Sequence, residues 1–97
     1  MSVFNLNGFS ARHAMTRDQL DQALRQALMQ VAPEVDAARL DGARPLRRQV
    51  DIDSADWLNF LIEIERSIGV AVEDAQAGRL DTLDKLADYC ASRLPAA

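Results

Sequence analysis

Leu20, Ala23, Leu24, Ala27, Leu28 and Val31 recur at intervals of three and four residues, which lays them along one face of an α-helix. A stripe like this has to be buried against another element, so it commits the chain to a packed helical layer. Thr16 precedes the stripe and Gln19 follows three residues later, the spacing of a capping box that satisfies two otherwise unpaired backbone donors. Pro33 ends the helix, because its ring cannot continue the hydrogen-bond ladder.

Two further helices are expected. One starts at Ser54 and runs to about Ile68, stopped by Gly69. The last starts near Asp81-Thr82, presents Leu83, Leu86, Ala87, Cys90 and Leu94 on one face, and stops at Pro95. Val70-Ala71-Val72 is too short to count as a strand without a partner, and reads as a buried connection to a brief helical turn near Glu73–Ala77, closed by Gly78. Residues 34–53 lack sustained periodicity; Val35, Leu40, Leu46, Val50 and Ile52 are their anchors into the core. Loops this long in a small domain are often functional. The expected class is therefore all-α, with a long loop between the first two helices.

The 97 residues suffice for one domain with one modest core. Residues 1–14 are expected to be a disordered N-terminal extension or tag-like segment, with Met15-Thr16 reading as a second natural start, and residues 15–97 to be the helical domain. No apolar run approaches the roughly 20 residues that span a bilayer, so no membrane insertion is expected. The single cysteine, Cys90, permits no internal disulfide and suits a cytoplasmic setting. Its place in the last apolar stripe makes it a core thiol rather than a reactive one. Residues 1–50 hold seven arginines and five acids, a net +2, whereas residues 51–97 hold four basic and ten acidic residues, a net −6. The acidic half argues against nucleic acid and for a basic protein partner. Arg44, Arg47 and Arg48 form a small basic cluster in the loop, either a solvated face or a docking feature.

The helix over 54–68 is apolar on too many sides. At about 100° per residue, Phe60, Ile64, Trp57, Ile68 and Leu61 share an arc of roughly 100°, enough for the core. Leu58, Ile62 and Ala55 occupy a second arc, which widens the apolar span to about 220°. Either the long loop covers Leu58 and Ile62, or they form an exposed strip rimmed by Asp56, Glu63 and Glu65 that binds a partner.

Ser54 sits at the head of that helix among Asp51, Asp53 and Asp56. Calcium does not fit: Asp51 and Asp53 match the first ligand positions of an EF-hand loop, but Ala55, Asp56 and Ile62 stand where an oxygen ligand, a glycine and a glutamate belong. Catalysis by Ser54 lacks a base, since the one histidine, His13, lies in the N-terminal segment. No catalytic or metal residues are assigned, and the chain reads as a non-enzyme. Two readings stay open. Ser54 is simply the N-cap of the helix, or it is a point of covalent attachment beside a docking strip, where the helix dipole favours an esterified phosphate.

The residues Asp53-Ser54-Ala55-Asp56, the run from Leu58 to Glu65, Ile68-Gly69-Val70-Ala71-Val72, and Thr82-Leu83 through Ala87-Asp88-Tyr89 together resemble an acyl carrier protein from about Met15 to Leu94. The resemblance implies a small four-helix bundle of three longer helices and one short one. It implies that Ser54 accepts 4′-phosphopantetheine from coenzyme A, transferred by a magnesium-dependent phosphopantetheinyl transferase, and that the arm's thiol carries an acyl group as a thioester. The partners would be acyl-loading and acyl-accepting enzymes such as ligases, ketosynthases or acyltransferases of fatty-acid, polyketide or related biosynthesis, met by a monomer. The recognition role would fall to Asp53, Ala55, Asp56, Leu58, Ile62 and Glu63. Ala55 stands where the family usually has leucine, Asp51 where it often has glycine, Asn59 where fatty-acid carriers have an acid, and Glu73 where many have proline. With the basic Arg-Pro-Leu-Arg-Arg stretch, these departures point to a specialised bacterial carrier. An aminoacyl or peptidyl carrier, or an unmodified helical adaptor that binds through the Leu58/Ile62 strip, are the alternatives.

Overall fold

The capping box forms as the sequence requires. Thr16 Oγ1 accepts from the Gln19 amide at 3.1 Å while Gln19 Oε1 accepts from the Thr16 amide at 2.9 Å, and helix α1 (Arg17–Val31) follows. The computed structural model describes residues 15–94. The readings of residues 1–14, of His13 within them and of Pro95 as a stop lie outside the described residues. Helix α1 buries Leu20, Leu24, Ala27 and Leu28 and packs against both other long helices, α3 (Ser54–Ile68) and α5 (Leu83–Arg93). The described residues form a small all-α fold. None of their helices is long and apolar enough to cross a membrane.

The loop between α1 and α3 holds more structure than its sequence suggests. A 3-10 turn (Ala37–Arg39) and a single-turn helix α2 (Leu46–Gln49) interrupt it. With α4 (Asp74–Ala77) there are thus two one-turn α-helices among the described residues, where one short helix was expected. Four residues are too few to display a helical period, so periodicity alone does not detect α2. Leu46, Val50 and Ile52 are buried, while Val35 and Leu40 pack half-buried against the core.

This loop is docked on the start of α5. The Leu46 amide donates to the Asp81 carbonyl at 2.8 Å, and the Asp84 amide donates to the Gly42 carbonyl at 3.0 Å. The second bond satisfies one of the unpaired donors in the first turn of α5. It also sets Gly42 against the Asp84 side chain, so that a Cβ on Gly42 would lie 2.6 Å from Asp84 Oδ1. Thr82 caps α5 through its Oγ1, which accepts from the Lys85 amide at 3.0 Å.

Helix α3 supplies Phe60, Leu61, Ile64 and Ile68 to the core and stops at Gly69, whose φ of 88° is left-handed and suits glycine. Trp57 is half-buried at the edge of this stripe, tilted against Phe60 with ring centroids 5.7 Å apart. In the connection after α3, Val70 is buried, Ala71 exposed and Val72 half-buried, an alternation that anchors extended chain without strand pairing. Helix α5 closes the core with Leu83, Leu86, Ala87 and Cys90. At its outer edge Arg17 of α1 reaches Asp88 at 2.6 Å; both side chains are exposed, so this pair contributes at most about 1 kcal/mol.

Cys90 has no exposed surface, and burial pushes its thiol from the ordinary 9.0 up to about 11. Below pH 9 both the folded and the unfolded chain hold this proton, so Cys90 adds no pH dependence. Between about 9 and about 11 only the unfolded chain ionises. Stability should therefore fall through that window by about 1.4 kcal/mol per pH unit from this group. Urea unfolding at intervals from pH 8 to about 11 will show this slope in the wild type, and Cys90→Ala will lack it.

Candidate functional site

The head of α3 is built by an aspartate. Asp53 has extended backbone (φ −89°, ψ −175°), and its Oδ1 accepts from the Asp56 amide at 2.8 Å. This makes Asp53 the N-cap and Ser54 the first helical residue, which excludes the reading of Ser54 as the cap. The reason is geometric: only the residue before the first helical turn can fold its side chain back to the amide three positions on. The spacing Asp53-x-x-Asp56 carried that signal in the sequence. Asp56 then sits in the first turn, where the helix dipole favours an acid.

Because Asp53 does the capping, the Ser54 hydroxyl is left over. Ser54 is exposed, and among the described residues its hydroxyl makes no hydrogen bond. The amides of Ser54 and Ala55 are likewise free of protein acceptors among the described residues, whereas the next two amides donate to Asp53. A serine oxygen without a partner, next to two open N–H donors, can carry an esterified phosphate and offer it hydrogen bonds. Asp51, Asp53 and Asp56 belong to no metal-holding cluster among the described residues.

Leu58 and Ile62 are each 49% exposed, so the loop does not cover them. Its anchors pack in the core and its docking bonds run to the start of α5. Ser54, Leu58 and Ile62 follow one another at intervals of four and form a single exposed ridge, with exposed Ala55 and Asn59 beside it. Glu65 is exposed next to the ridge, and Asp56 is half-buried. Glu63 behaves differently. Its side chain is only 20% exposed, lies 3.5 Å from Arg66 Nη1, and shares a shallow depression with Gln26 and Gln30 of α1. The structure therefore gathers Asp53, Ala55, Leu58 and Ile62 around Ser54 and turns Glu63 towards α1.

Two further residues shape the neighbourhood without any signal in the local sequence. Arg25 donates to the Ala37 and Leu40 carbonyls, and Gln49 bonds the backbone of Asp41 and Arg44. Neither has a local signal, since each reaches backbone brought near only by folding.

The cap assignment separates two neighbouring substitutions. Asp53→Ala should lower the unfolding free energy by about 1 kcal/mol. Ser54→Ala, which breaks no internal bond, should stay within about 0.5 kcal/mol of wild type. Urea denaturation of both variants checks this, and a larger loss for Ser54→Ala would return the serine to the cap.

Compared with protein-family models, with curated proteins and with solved structures, the chain gives no match.

Proposed function

We propose that the protein is a non-catalytic acyl carrier whose Ser54 bears 4′-phosphopantetheine. The observation that carries this reading is the unpartnered, exposed Ser54 hydroxyl at the head of an exposed apolar ridge. On this reading α1, α3 and α5 are the longer helices of a four-helix carrier bundle and α4 is its short member, with α2 an added turn in the loop.

Ser54 Oγ attacks the phosphorus of coenzyme A that bears the pantetheine. The Oγ–P bond forms, the bond from that phosphorus to adenosine 3′,5′-bisphosphate breaks, and the serine proton leaves to a base. On this reading that base belongs to the transferase; beside Ser54, Asp53 Oδ1 is engaged by the Asp56 amide. When attached, the group supplies a thiol on a flexible arm, where an acyl chain is held as a thioester. The Ser54 and Ala55 amides, which have no protein acceptor among the described residues, would be the donors offered to the phosphate, while Asp51, Asp53 and Asp56 would repel its charge.

Leu58 and Ile62 dock the partners. Their exposed apolar surface is small, so each encounter is transient, as delivery between several enzymes requires. The acids around them supply attraction to a basic partner face and speed the encounter more than they strengthen it. An unmodified adaptor would use the same ridge, and modification distinguishes the two. Incubated with coenzyme A, magnesium and a broad-specificity phosphopantetheinyl transferase, the wild type should gain the mass of one phosphopantetheinyl group, and Ser54→Ala should gain none. A wild type that stays unmodified would leave the adaptor.

A further inference from the structure

The segment between α1 and α3 is folded around an open groove of about 550 Å³, a volume typical of small-molecule pockets. Its floor is apolar, formed by Val35, Leu40 and Val50. Two side chains fix its walls. From α1, Arg25 donates to the Ala37 and Leu40 carbonyls at 2.6 and 2.9 Å. Gln49 accepts from the Asp41 amide at 2.8 Å and donates to the Asp41 and Arg44 carbonyls at 2.9 and 3.0 Å. The groove is thus shaped before anything enters it, which spares a ligand the cost of ordering the loop.

Charges line its rim. The cations are Arg39, Arg44 and Arg48, and the acids are Glu34, Asp36 and Asp51. Asp36 lies 4.0 Å from Arg39. Among the described residues Arg44 and Arg48 have no ion-pair partner. Two free guanidinium groups over an apolar floor match a ligand with a hydrocarbon body and one terminal carboxylate, which a guanidinium grips through paired N–H donors. Glu34 and Asp51 oppose a polyanion such as a nucleotide, whose additional phosphates would meet them.

The groove also lies close to Ser54. Val50 and Asp51 line it, and the chain from Asp51 to Ser54 spans at most about 10 Å. A phosphopantetheine arm, with its two amide-linked segments, exceeds that distance. We propose that the groove receives the far end of the carried group, and that this cargo is the half-thioester of a dicarboxylic acid whose free carboxylate is held by Arg44 and Arg48. The inference rests on attachment at Ser54.

The test loads the full chain with two cargoes of equal length. The transferase attaches arms from the coenzyme A thioesters of glutaric acid and of valeric acid, of which only the first ends in a carboxylate. The side-chain Nε–H signals of Arg44 and Arg48 should shift with the glutaryl cargo and not with the valeryl cargo. In the double variant Arg44→Gln, Arg48→Gln, altered at two exposed positions, helical content and loading should be unchanged. Hydroxylamine should release its glutaryl thioester several-fold faster than from wild type, with valeryl release unchanged. Identical arginine signals for both cargoes, or equal release rates from wild type and variant, would overturn the groove assignment alone. Failure of both cargoes to load would overturn attachment and the groove assignment together.

Discussion

One hydrogen bond orders the site: the Asp53 carboxylate accepting the Asp56 amide at 2.8 Å. It fixes where α3 begins, and so decides which of two adjacent polar residues is used by the fold and which is not. Had the serine been the cap, its oxygen would be engaged with backbone and poorly placed to react. With the aspartate in that role, the hydroxyl on the next residue costs the fold nothing to give away.

The rest of α3 follows from packing. Helix α1 lies against both α3 and α5, and the core takes from α3 only the face bearing Phe60, Leu61, Ile64 and Ile68. Leu58 and Ile62 belong to the opposite arc and stay outside because the loop is pulled towards α5 by the bonds at Leu46 and Asp84. The loop therefore leaves the ridge open and encloses a groove of its own. Ridge and groove approach Ser54 from different sides, the ridge along α3 and the groove through Val50 and Asp51. On the proposed function, the ridge would serve the partner enzymes and the groove the carried group.

The parts of this arrangement legible in the sequence are those with local causes. Thr16 with Gln19, Thr82 before Leu83, and Gly69 after Ile68 mark helix ends through bonds spanning a few residues, and the stripes of α1 and α5 predict their buried faces. The width of the apolar arc on α3 is equally local. Whether Leu58 is covered is not, because it depends on where a distant loop docks. The same holds for the clamps made by Arg25 and Gln49, and for α2, whose single turn is stabilised by Leu46 in the core rather than by its own period. Ser54 stands out through its neighbours, and the Asp53-x-x-Asp56 spacing beside it points to Asp53 as the cap, an assignment the extended backbone of Asp53 fixes.

The most direct measurement is peptide mass spectrometry of the chain isolated from the cells that make it. The peptide holding Asp53-Ser54-Ala55 is expected to carry phosphopantetheine on the serine. An unmodified serine throughout the native population, or the group on Ser67 or Ser92 instead, would contradict the carrier reading.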